Sequence, residues 1–105
     1  VLSCDRGRLS RVGGLVAIPD GPIRLRLDVD GDRLGFAFGS AAEGPLTAWS
    51  SFLDAGILSD DHAAEERDGV PQLWGFTGAF LGLWAQDLTE GRAFVDVDSA
   101  TYRER

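Results

Sequence analysis

Hydrophobic and polar residues alternate with a period of two through much of this chain. Ile23, Leu25, Leu27 and Val29 are interleaved with Arg24, Arg26, Asp28 and Asp30, the pattern of a strand with one buried face. Asp30-Gly31 follows, and a glycine there supplies the positive φ of a tight hairpin. The return strand sets Leu34, Phe36 and Phe38 on one face, opposite Arg33, Gly35 and Ala37. Residues 39–45 and 67–71 read as loops, and 49–53 as a short strand. Residues 8–18 read as a strand kinked at Gly13-Gly14. A helical turn is expected within 57–66, with Ser59 as its N-cap ahead of acidic residues. Thr89-Glu90-Gly91 then turns the chain into a last strand over 93–102. The pattern predicts an all-β, antiparallel, two-layer β-sandwich.

One segment departs from simple alternation. From Trp74 to Asp87 the chain reads as a strand with no polar face. Phe76, Phe80 and Trp84 share one parity with Gly78 and Gly82, while Thr77, Ala79, Leu81, Leu83 and Ala85 fill the other. A strand apolar on both sides needs a sheet covered on both faces. Glycines inside it mark close approach by another backbone or a ligand. Phe80 and Trp84 are therefore expected in the core. Phe76 opens the strand after a polar loop, where a side chain can project beyond the sheet.

Composition narrows the function classes. The 105 residues suffice for one domain with a modest core. No internal repeat or linker marks a second one. The net charge is −7, with ten arginines and no lysine. An acidic surface disfavours nucleic acid and anionic membranes. The single cysteine, Cys4, excludes an internal disulfide and is compatible with a reducing compartment. No apolar run is long enough to span a bilayer, and no segment has the form of a signal peptide. A cytoplasmic location is the expectation. The start at Val1-Leu2-Ser3, without an initiator Met, fits a piece of a longer protein.

Several constellations invite a chemical reading, and each has a plainer one. Asp28-Val29-Asp30-Gly31-Asp32 has the flavour of a calcium loop. An EF-hand needs glycine sixth and glutamate twelfth, whereas here glycine is fourth and Gly39 stands twelfth. A solvated hairpin turn accounts for it. Asp60, Asp61 and His62 are adjacent, so their side chains diverge, and no second histidine exists to complete a metal site. Cys4 has only Arg6 as a basic neighbour and lacks the surroundings of a nucleophile. Asp96 and Asp98 share a strand face, but nothing separates their pKa values as glycoside hydrolysis requires. No catalytic residue, metal ligand or cofactor site is assigned. Trp49, Trp74, Trp84, Phe76 and Phe80 have the faces to stack on sugar rings, although such residues are more often core.

Four motifs, in order, carry a resemblance. They are Ile23 to Gly31; Leu53-Asp54-Ala55 with Leu58-Ser59-Asp60-Asp61; Gly75 to Gly82 with Gln86-Asp87-Leu88 and Gly91; and Asp96-Val97-Asp98 with Tyr102-Arg103-Glu104. Together they resemble the C-terminal concanavalin A-like β-sandwich module of family 43 glycoside hydrolases, the β-xylosidases and α-L-arabinofuranosidases. The resemblance runs from about Pro22 to the end and departs at Ser99 and Ala100, where the family usually has two aromatics. The loop from Ala63 to Leu73 is longer and more acidic than the family's. The family's module is longer than this chain, so the chain resembles its C-terminal half.

The resemblance implies an accessory β-sandwich beside a catalytic β-propeller of the same protein, acting on xylo- or arabino-oligosaccharides. The catalytic carboxylates would lie on the propeller, one protonating the leaving oxygen and one activating water, with inversion. It also implies that Phe76 helps wall the sugar pocket. Phe76 on the resemblance, and Trp74 as an aromatic able to stack on sugar, are the substrate-binding candidates. Two other readings stay open: a stand-alone carbohydrate-binding module using Trp49 or Trp74 as a platform, and a structural partner that touches no substrate.

Overall fold

The computed structural model describes residues 1–18, 20–40, 43–49, 51–73 and 78–104. Every strand pairing in it is antiparallel. The central element is the hairpin of β3 (Arg24–Asp30) and β4 (Arg33–Gly39). Its register sets Leu25 opposite Phe38, Leu27 opposite Phe36 and Val29 opposite Leu34. The period-two pattern thus places all six on one face, as the sequence predicts. The turn Gly31-Asp32 closes it, with Gly31 at φ +58°.

Beside β4 lie two short strands, β5 (Thr47–Ala48) and β6 (Leu53–Asp54), which replace the single strand expected over 49–53. Trp49 still bonds to the sheet, its N–H donating to the Phe36 carbonyl at 2.8 Å. On the face away from Phe36, β4 offers Gly35, Ala37 and Gly39. A Cβ at Gly35 would stand 2.9 Å from Phe52 Cε1, and one at Gly39 2.9 Å from Leu46 Cδ2. Small residues let these two side chains lie close on the sheet. Leu34 and Ala37, on opposite faces of β4, are the buried apolar residues among those described, 8% and 7% exposed.

Two further hairpins flank the sheet. Before it come β1 (Leu2–Asp5) and β2 (Arg8–Arg11); the strand expected over residues 8–18 ends at Arg11. After it come β7 (Glu65–Arg67) and β8 (Val70–Leu73), where residues 67–71 are expected as loop. Both turn on a residue-glycine pair with two successive positive φ angles: Arg6-Gly7 at +47° and +76°, Asp68-Gly69 at +54° and +76°. This is the backbone of a two-residue hairpin turn, and Asp-Gly is among its strongest signals. That signal was present in the sequence at Asp68-Gly69. Gly13, at φ +76°, makes the expected kink after β2.

Between β6 and β7 a 3₁₀ turn, Ala55–Leu58, leads into α1, Asp60–Ala63. Asp54 Oδ1 accepts from Gly56 N at 2.7 Å, and Ser59 Oγ from His62 N at 3.2 Å. Both capping residues belong to the second sequence motif, and Ser59 caps as expected.

Over its described residues, 78–87, the long apolar segment does not form the buried strand expected of it. Residues 78–104 carry no strand, Phe80 is 83% exposed and Trp84 87%. The expected strand over 93–102 is absent too. A segment apolar on both sides gains a ladder only from flanking strands and cover only from layers on both faces. None of the described strands supplies either. The chain's accessible surface is 9395 Å², against about 5,700 Å² for a closed monomer of this mass. Its radius of gyration is 16.5 Å, where a compact domain of this length has about 13 Å.

Candidate functional site

Phe76 and Trp74, the substrate-binding candidates, lie outside the described residues. The chain beyond them is tied down at Gly78, whose N–H donates to Asp60 Oδ1 at 3.1 Å. Asp60 opens α1, so the chain from Gly78 onward starts beside that helix. The same helix holds the turn after β1. His62 Nε2 is 2.7 Å from Asp5 Oδ1. The Arg6 guanidinium donates through Nε and Nη2 to the His62 carbonyl at 3.0 and 2.9 Å. Three segments distant in sequence thus meet at α1. Nothing in the sequence pattern signals the Asp5–His62 pair, because long-range pairing of single polar residues has no period.

Asp60 and His62 are therefore engaged with different partners, Gly78 and Asp5, rather than with a common centre. Among the described residues no group of three or more His, Cys, Asp or Glu side chains is placed to hold a metal ion. Asp28 pairs with Arg26, Oδ2 to Nε at 2.8 Å, on the strand ahead of the hairpin turn. Cys4 is exposed on β1.

The tryptophans divide. Trp49 is half-buried and packs edge-on against Phe38, with ring centroids 5.4 Å apart and an interplanar angle of 66°. Its indole also lies against Gly13, where a Cβ would be 3.2 Å from Nε1. Trp49 is a wedge between the first hairpin and the sheet, which removes the flat, open face of a sugar platform. Its Nε1 is buried and finds no hydrogen-bond partner among the described residues. Phe80 and Trp84, expected in the core, stand exposed for want of a covering layer. Phe52 is half-exposed, with the Arg33 guanidinium 3.9 Å above its ring.

Asp96 and Asp98 are exposed, on a segment without strand structure. Asp87 is lowered from its ordinary 3.8 to about 2, first by the Thr89 hydroxyl, then by the backbone N–H groups of Ala93 and Thr89. Ala93 N donates to Oδ2 at 2.9 Å and Thr89 N to Oδ1 at 2.6 Å. A glycosidase general acid needs its carboxyl raised, so Asp87 is displaced in the wrong direction. It is the clasp of the turn at Glu90-Gly91, whose φ angles are +65° and +75°. No described helix is long and apolar enough to cross a membrane.

What the fold and these side chains define is an all-β antiparallel module, with no catalytic pair among the described residues. The chain belongs to the family of the beta-xylosidase C-terminal concanavalin A-like domain, whose model matches residues 1–103. It is also similar to a xylosidase/arabinosidase 43B of Humicola insolens, 36% identical over 89 residues. The match covers 84% of this chain and 15% of that protein. No solved structure matches the chain. The family model reaches Val1, so it includes the first hairpin, which the four sequence motifs leave out.

Proposed function

We propose that this chain is the accessory β-sandwich of a glycoside hydrolase acting on xylose- or arabinose-containing oligosaccharides, of exo-β-1,4-xylosidase type. The observation that carries the reading is the family match over residues 1–103. The relative named xylosidase/arabinosidase supports the substrate class, and its match over 15% of that protein's length supports a supporting rather than catalytic role. A catalytic propeller of the same protein would supply both carboxylates. Phe76, with Trp74 beside it, would wall the sugar pocket, contributing shape and excluding water.

The exposed apolar segment favours this reading over a stand-alone carbohydrate-binding module. A chain with Phe80, Trp84, Leu88 and Phe94 all largely exposed has the surface of a part, not of a self-sufficient binder. The wedged Trp49 also argues against the platform that the stand-alone reading needs. A reducing, cytoplasmic setting belongs to this proposal, and the single Cys4 is compatible with it.

The test compares the chain with the full-length protein that carries it. We expect the full-length protein to hydrolyse aryl-xyloside or aryl-arabinofuranoside, and the purified chain to turn over neither. Turnover by the chain alone, abolished by substituting Asp96 or Asp98, would overturn the accessory assignment. An inactive full-length protein would overturn the hydrolase reading.

A further inference from the structure

Asp60 is the first residue of α1, and its Oδ1 accepts the Gly78 N–H at 3.1 Å. Gly78 sits at φ +65°, a left-handed backbone that residues with a Cβ rarely adopt. A Cβ there would meet nothing within 4 Å among the described residues. Conformation, not crowding, therefore calls for the glycine. The backbone at Gly78 sets the direction in which the chain passes, and Asp60 sets its place.

The post that carries Asp60 is braced from outside its own helix. A helix of four residues is too short to hold itself. His62 N–H donates to Ser59 Oγ at 3.2 Å, which caps the turn. Arg6 donates twice to the His62 carbonyl, and Asp5 meets the imidazole at 2.7 Å. β1 and its turn thus hold His62, and through the same short helix they hold Asp60. Only χ1 and χ2 separate the Asp60 carboxylate from that fixed backbone.

Phe76 precedes Gly78 by two residues in the sequence. Two residues of chain span at most about 7 Å. A backbone fixed at Gly78 therefore limits how far the Phe76 Cα can stand from it. Such placement has kinetic weight, because a misplacement of about 1 Å caused far from the chemistry can cost a hundredfold in rate.

We propose that Asp60 is a positioning residue for the sugar pocket, its hydrogen bond to Gly78 setting where Phe76 stands against the substrate. This role rests on the pocket proposed for Phe76 and adds the group that aligns it. Asp60 touches no substrate. It acts as an acceptor of definite reach, so its oxygen counts and its charge does not.

Hydrolysis of aryl-xyloside or aryl-arabinofuranoside by the full-length protein tests it, in a double-mutant cycle on Asp60 and Phe76. We expect Asp60→Ala to lower kcat/KM about tenfold. Asp60→Asn keeps an oxygen that accepts from Gly78 N–H and should stay within about twofold of the parent. In the Phe76→Ala background Asp60→Ala should cost nothing further, because the wall it aligns is gone. No loss in Asp60→Ala, an equal loss in Asp60→Asn, or an undiminished loss in the Phe76→Ala background would each overturn the proposal. Should Asp60→Ala fail to fold, Asp60→Glu, which moves the acceptor outward by one methylene, replaces it in the cycle with the same outcomes. Wild-type kcat/KM in Phe76→Ala would remove the pocket itself, and this role with it. A loss in Phe76→Ala with additive losses in the double variant would remove the role of Asp60 alone.

Discussion

His62 and Asp5, 57 residues apart, meet at 2.7 Å, Nε2 to Oδ1. Arg6 reinforces the junction by donating twice to the His62 carbonyl, and it does so from a left-handed backbone, φ +47°. The first hairpin is thus clasped to α1 by two successive residues, Asp5 at the end of β1 and Arg6 in the turn. Both side chains of the pair remain about one-third to two-fifths exposed, so solvent screens the interaction. In a double-mutant cycle on Asp5→Asn and His62→Ala we expect a coupling of about 0.5–1 kcal/mol. Strictly additive losses in the melting curves would show that the two residues do not act together.

Asp87 should titrate as a held carboxylate. Its folded value lies near 2 against an ordinary 3.8, so the turn's contribution to stability is present in full above the ordinary value. It is lost as pH falls through the folded one. Thr89→Ala removes the largest cause and should raise Asp87 part of the way toward 3.8, the backbone donors of Ala93, Thr89 and Arg92 remaining. Carboxyl-carbon NMR titration of both proteins gives the comparison. An unchanged Asp87 in the variant would assign the effect to the backbone donors instead.

The hairpin of β7 and β8 depends on Asp68-Gly69. Gly69→Val places a β-branched residue at φ +76°, at a cost of about 1–2 kcal/mol. A two-stranded hairpin is marginal by itself. We expect amide protection across 65–73 to vanish while protection in β3 and β4 persists. Protection that stays intact would mean the turn tolerates the side chain.

Phe76 and Phe80 share a strand parity but not, on this reading, a role. If Phe76 walls the sugar pocket as proposed, Phe76→Ala in the full-length protein should lower kcat/KM about tenfold to a hundredfold. Phe80 is 83% exposed in the chain by itself, so Phe80→Ala should leave the isolated chain within about 0.5 kcal/mol of its parent. In the full-length enzyme, where a covering layer is expected, the same change should cost roughly 3–5 kcal/mol. Wild-type kcat/KM in Phe76→Ala would remove the pocket role.

The hairpin of β3 and β4 was legible down to its facing, because alternation of Leu25, Leu27 and Val29 with charged residues leaves only one register that buries them together. Ser59 was legible as a cap because a hydroxyl ahead of acidic residues has a local partner three residues on. The segment 74–87 was not. Period reports what a segment requires, and this one requires neighbours that the described strands do not provide. The Asp5–His62 pair was hidden for a different cause: it joins residues that only the tertiary arrangement brings together. Of the aromatic candidates, Trp49 packs against Phe38, whereas Phe76 rests on the motif and Trp74 on its capacity to stack.

The turn at Glu90-Gly91 is already in the left-handed pair of angles that two antiparallel strands require, and Asp87 already clasps it. On either side run Phe80 to Leu88 and Phe94 to Val97, apolar and uncovered. Such a segment is wound before it is used. Covering it would bury fresh apolar surface and order backbone in one event, so its assembly would register in a calorimeter as folding. The signature is a large negative heat-capacity change, with favourable enthalpy set against an ordering entropy. Two finished surfaces of the same area would meet without that ordering term.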